Sequence, residues 1–155
     1  MAFQLSALDP ARFEPLFALD DPALRRRGMR RVVADSDSGY PCRVSLQDAR
    51  RDEGLLLLPY EHLPQPSPYR ACGPIFVRQG VGRVVVPEGV VPDYVALRLM
   101  SLRAYDAEGL MREAEVVDGP QVAGCLDRMF EDPQIAFIHL HNARRGCFSC
   151  IANRA

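Results

Sequence analysis

The clearest alternation of apolar and polar positions runs from Leu99 to Val117. Met100, Leu102 and Ala104 alternate with Ser101, Arg103 and Tyr105, and beyond Asp106-Ala107-Glu108-Gly109, Ala114 and Val116 alternate with Glu113 and Glu115. A period of two marks half-buried strands, so this stretch predicts a hairpin. A loop of Ala107, Glu108 and Gly109, with the glycine left-handed, would set Arg103 opposite Glu113 and Leu102 opposite Ala114. The period then changes. Val122, Cys125, Leu126, Met129 and Phe130 fall on one helical stripe, with Asp118 as N-cap, Pro120 in the first turn and Pro133 as terminator. Ile135 to Leu140 reads as the next strand. A strand–helix–strand order predicts a right-handed crossover between parallel strands.

The upstream pattern is weaker. Phe3 to Leu8 predicts a first strand. Asp9-Pro10 starts a helical turn carrying Phe13, Leu16 and Phe17, and Asp20-Asp21-Pro22 starts a short helix ending at Gly28. Arg30 to Ala34 reads as a strand and Asp35 to Gly39 as a loop. Arg43 to Leu46, Leu55 to Tyr60 and Pro74 to Arg78 read as further strands. Leu63 to Pro68, with three prolines, must be a loop. The expectation is an α+β fold over residues 1–155 as one compact domain. It has a mixed, mostly antiparallel sheet, short N-terminal helices and a C-terminal strand–helix–strand crossover.

Composition narrows the function classes. The 155 residues are 48% hydrophobic and 25% charged with a net charge of -1, which fits an ordered globular chain and lacks the basic excess of nucleic-acid or membrane-surface binders. All 19 basic residues are arginine, which removes Schiff-base and phosphate-loop lysine chemistry. The first residues have neither a basic start nor a long apolar run, so no signal peptide is expected, and no apolar stretch approaches membrane-spanning length. Without an export signal, reduced thiols and a cytoplasmic location are expected, and the odd number of 5 cysteines also speaks against a disulfide framework. The expected partner is a small molecule, with no nucleic acid and no membrane; homo-oligomerisation stays open.

Chemically capable side chains concentrate in Tyr40 to Arg43, Tyr60 to Arg70 and His139 to Cys150. His139 and His141 share one strand face, near the strand's C-terminal end, where ligands of open sheets tend to bind. The polar loop after them adds Asn142, Arg144 and Arg145. An apolar strand delivers His62 beside the loop that carries Tyr69 and Arg70. His141 and His62 are the expected acid–base or donor groups, and Cys147 or Cys42 the candidate nucleophile, Cys42 with Arg43 alongside. Tyr69, Arg70, Asn142, Arg144 and Arg43 would hold and orient an anionic or carbonyl ligand. A second reading takes His139, His141, Cys147 and Cys150 as a zinc set, but positions three apart on an extended strand point to opposite faces, so metal is not the favoured expectation. No cofactor is favoured.

The segments Gly39 to Leu46, Tyr60-Glu61-His62, Ser67 to Arg70, Gly73 to Arg78, Ser101 to Asp106, and His141 to Arg144 with Gly146-Cys147 together resemble the bacterial family known as domain of unknown function 1203. The resemblance covers nearly the whole chain. It implies a bacterial origin and a single domain and carries no assigned activity. It does not require Cys150. The favoured function is therefore a small-molecule pocket, enzymatic or not. The alternatives are a non-catalytic zinc module and a protein-interaction module without chemistry.

Overall fold

The computed structural model describes residues 2–155. In chain order the elements are β1 (Phe3–Ser6), two 3-10 turns (Pro10–Arg12 and Glu14–Ala18), α1 (Asp21–Arg26), β2 (Arg30–Val33), β3 (Pro41–Cys42), β4 (Gln47–Asp48), β5 (Gly54–Leu63) and β6 (Ala71–Arg78). Then follow α2 (Asp93–Ala96), β7 (Leu99–Tyr105), β8 (Met111–Asp118), a 3-10 turn (Gly119–Gln121), α3 (Val122–Met129), β9 (Phe137–Asn142) and β10 (Phe148–Arg154). This is an α+β fold with two five-stranded sheets, β1-β10-β9-β7-β8 and β2-β5-β6-β3-β4. Among the described residues no helix is long and apolar enough to cross a membrane. The chain forms two compact units, one of residues 1–6, 61–73 and 85–155, the other of residues 7–60 and 74–84.

The first unit holds the β1-β10-β9-β7-β8 sheet, antiparallel at every pairing. The expected crossover is present, but β8 and β9 are not neighbours. Both run antiparallel to β7, which lies between them, so they share a direction without sharing hydrogen bonds. The hairpin closes as its sequence predicts. Asp106 N donates to Leu110 O at 3.0 Å, and Gly109 has φ +80°. Beyond the turn the register departs from expectation. Tyr105 pairs with Met111 but Ala104 pairs with Glu113, so Arg112 is an extra residue, a bulge that advances every later pair by one. Arg103 therefore lies opposite Ala114, while Glu113 and Glu115 move to the face of Ala104 and Leu102.

That face is the covered one. Met100, Leu102, Ala104, Ile138, Leu140 and Ala152 are fully buried, as are Val122, Leu126, Met129 and Phe130 of α3 and its C-cap. Arg128 of α3 pairs with Glu113 at 2.6 Å and Glu115 at 3.2 Å, which places the helix on this side. The bulge thus exchanges a cross-strand Arg–Glu pair for a helix–sheet one. The opposite face carries Ser101, Arg103 and Tyr105 of β7 beside Phe137, His139 and His141 of β9.

In the second unit Asp20 caps α1, its Oδ1 accepting from Ala23 N at 2.8 Å, and Gly28 ends it with φ +73°. The sheet is mixed here: β3 runs parallel to β6, while β2 is antiparallel to β5 and β3 to β4. The last residues of β5 and the first of β6 belong to the other unit. Arg43 to Leu46 is a turn instead of the expected strand. Leu46 N bonds back to Cys42 O at 3.0 Å, and the carbonyls of Arg43 and Val44 accept from Leu8 and Val84. These backbone groups find partners in crossing segments instead of in a ladder. Leu55 packs with Ala34 and Ala49 under Tyr40 and Phe76.

Across that unit, Arg78 Nε holds Glu53 at 2.7 Å, with the carboxylate 30% exposed. The Arg78 hydrogen bond keeps the Glu53 carboxyl below its ordinary range. A folded value below the unfolded one stabilises at pH above about 4.3 and loses that stabilisation as pH falls through the folded value. Glu53→Gln is expected to cost about 0.5–1 kcal/mol at pH 7. The variant and the parent should converge in urea midpoints as the pH drops below the carboxylate range. A gap that stays constant with pH would contradict the pairing.

Candidate metal centre

The chain contains 3 histidines, and all of them meet in the first unit. One imidazole nitrogen from each of His62, His139 and His141 lies within 4.8 Å of the others. Local sequence explains each placement. Alternation along β9 sends His139 and His141 to one face and Ile138 and Leu140 to the other. The four-leucine run of β5 carries the chain to His62. The proline loop then returns, ordered by Ser67, whose Oγ donates to Gly109 O at 2.8 Å and accepts from Tyr69 N at 3.1 Å.

The cluster sits in an aromatic setting. His62 stacks on Phe148 with centroids 5.7 Å apart and planes 10° from parallel. His139 meets Phe148, Phe137 and Tyr105 at centroid separations of 5.1, 5.1 and 5.3 Å. His139 and His141 are buried, at 3% and 0% exposure, and His62 is half-buried.

Two features bear on metal binding. His141 Nδ1 lies 2.9 Å from Gly146 O. A carbonyl only accepts, so Nδ1 carries the proton and Nε2 keeps its lone pair, the arrangement metal-ligating histidines use. Gly146 supplies that carbonyl from a tight turn with φ +76°, its own N donating to Asn142 O at 2.7 Å. His139 Nδ1 is buried and meets no hydrogen-bond partner among the described residues. Burial pushes the His139 pKa down to about 3, helped by the neighbouring His141, His62 and Arg103. The ring is therefore neutral at physiological pH, the protonation state that a metal requires.

The donor set fits a borderline ion. Three imidazole nitrogens suit zinc, copper, nickel or iron. A tetrahedral zinc with Zn–N of about 2.0–2.1 Å brings its nitrogens to about 3.4 Å from one another.

On the same face, Arg103 stands directly across from His139, and Ser101 across from His141. Arg103 Nε donates to Ser101 Oγ at 3.3 Å, and the guanidinium charge lies near Tyr105, opposing the rise in its pKa. Burial raises the Tyr105 pKa. Tyr105 in turn stacks on Phe137 and receives the edge of Tyr69 at 6.2 Å.

The other residues singled out by sequence are placed as follows. Tyr69 joins this aromatic wall through Tyr105. Arg70 is 60% exposed and is held by Glu61 at 3.2 Å. Arg144 is exposed on the turn after β9. Asn142 Nδ2 donates to Cys147 Sγ at 3.6 Å, which positions both beside His141 on the 142–147 turn. Cys150 pairs in register with Leu140, so it lies on the helix side of the sheet, away from the histidine face. Cys42 and Arg43 lie in the second unit. There Cys42 is fully buried and its sulfur accepts from Ser45 N at 3.5 Å and Arg78 N at 3.3 Å; Arg43, also buried, donates to Pro41 O. Arg103, Tyr105 and Phe148 were not singled out by sequence. The one usable signal was parity: Arg103 and Tyr105 alternate with the apolar residues of β7, so they had to face away from the core.

Fold and site together define an α+β protein with a three-histidine cluster on the face of an antiparallel sheet opposite its covering helix. Residues 39–154 match the family described as "Protein of unknown function (DUF1203)", and the chain belongs to that family. No curated protein and no solved structure matches it.

Proposed function

We propose that the chain binds a single borderline transition-metal ion, zinc first among them, through His62, His139 and His141. The observation that carries this reading is the convergence of every histidine of the chain to within 4.8 Å. The fixed His141 tautomer and the buried Nδ1 of His139 support it. A purely structural cluster would leave that nitrogen desolvated at a cost of about 1–3 kcal/mol. Three protein ligands leave coordination positions for a water or a small molecule, the arrangement of catalytic zinc rather than of closed structural zinc. A bound ion would supply Lewis acidity at that position. The anionic-ligand reading of the sequence is thereby kept, with the histidines serving as the anchor instead of as acid–base groups.

The test is zinc uptake by untagged protein in competition with a chromogenic chelator. One equivalent bound with a Kd of about 1 μM or tighter is the expected result. No uptake, or uptake that survives removal of all three imidazoles, overturns the reading.

A further inference from the structure

Resting on that reading, we infer that Arg103 makes the site one for a small oxyanion, a ligand whose carboxylate or phosphate oxygens bridge the His62–His139–His141 ion and the Arg103 guanidinium. The inference starts from where the chain leaves its arginines. Arg31, Arg70, Arg78 and Arg128 each pair with a carboxylate. Arg103 has no carboxylate partner among the described residues; its hydrogen bond goes to the hydroxyl of Ser101. It is half-buried and occupies the register position across from His139.

The Arg112 bulge creates this situation. Without it, Glu113 would face Arg103; with it, Glu113 turns to Arg128 on the other face. The neutral Ser101 hydroxyl holds Nε without neutralising the guanidinium. A planar fork of donors matches two oxygens of a carboxylate or phosphate. No Asp or Glu joins the histidine group among the described residues. A metal with open positions and an unneutralised arginine on the same face give a small anion two anchors, and Tyr105 with Tyr69 adds an aromatic wall.

The experiment uses the full chain loaded with cobalt(II), whose visible bands report on its coordination. Malonate and inorganic phosphate are the probes and malonamide is the neutral control. Both anions are expected to shift the cobalt bands of the parent protein. Arg103→Gln is expected to weaken their affinity by about tenfold or more while cobalt affinity stays within about threefold. Equal anion affinity in parent and variant overturns the inference and leaves the metal reading standing. So does a parent protein that responds to malonamide as strongly as to malonate, an outcome independent of how well the variant folds. Failure of the parent to take up cobalt or zinc overturns the three-histidine reading itself.

Discussion

His139→Ala is expected to lower zinc affinity by about a thousandfold. Loss of residues that only orient metal ligands typically costs about 10–100-fold, so removal of a ligand should cost more. His139 is the most informative of the three because its metal-free cost is partly cancelled. Truncation opens a cavity at about 2–5 kcal/mol but also removes a buried nitrogen that lacks a partner, worth about 1–3 kcal/mol. The variant should therefore still fold, with a modestly lower Tm without metal. The larger change appears with metal. At zinc concentrations about 1,000 times Kd the parent gains about 4 kcal/mol of stability, and the variant should gain almost none. Cys147→Ser and Cys150→Ser, by contrast, should keep zinc affinity within about threefold. Chelator competition and thermal melts with and without zinc measure both effects. A His139→Ala protein that still shows the full zinc-dependent rise in Tm would refute the assignment.

Gly119→Ala should be the most damaging small substitution in the first unit. A Cβ at this position would lie 2.1 Å from Ala96 O, 2.3 Å from its carbonyl carbon and 2.7 Å from its Cα. All three are backbone atoms at the end of α2, so no rotamer change relieves the clash. Gly119 is also where the chain leaves β8 and turns into α3, the helix that covers the apolar face of the sheet. Displacing it disturbs Val122, Leu126 and Met129 together. The expected loss is about 3–5 kcal/mol, above the usual range for overpacking because backbone must move. Gly124→Ala is the control. Its Cβ meets nothing within 4 Å, and it sits inside α3, so it should gain about 0.5–1 kcal/mol. Urea midpoints report both signs. Parental stability in Gly119→Ala would show that the α2–β8 approach is not as close as described.

The parts of the fold written in local periodicity were legible from sequence. The β7–β8 hairpin, its loop with left-handed Gly109 and the apolar stripe of α3 all follow from spacing. What spacing cannot encode is a single inserted residue. The Arg112 bulge keeps the turn and changes every partner beyond it, so an Arg103–Glu113 pair that looked self-consistent became Arg128 with Glu113 and an arginine on the histidine face. The strand β10 carries little signal because its alternation is broken at Ser149, between Phe148 and Cys150, where its register with β9 shifts. Arg43 to Leu46 has a strand-like composition, and only contacts to residues distant in sequence make it a turn.

The site was half legible. Alternation on β9 put His139 and His141 on one face. Nothing local could say that His62, far earlier in the chain, would stack on Phe148 beside them, because that juxtaposition is a product of sheet pairing and of the loop pinned by Ser67. The C-x-x-C at Cys147 and Cys150 offered a zinc reading through cysteines. Its geometric objection is consistent with the register, which sets Cys150 on the face of Leu140. The tautomer of His141 depends on Gly146, a turn residue whose role is visible only once its carbonyl is located.

The most direct test of the three-histidine centre is X-ray absorption at the zinc edge on untagged, zinc-loaded protein. The expected spectrum has three imidazole nitrogens at about 2.0–2.1 Å, one oxygen in the same shell, and no sulfur shell. A sulfur shell at about 2.3 Å would transfer the site to the cysteines and contradict the account.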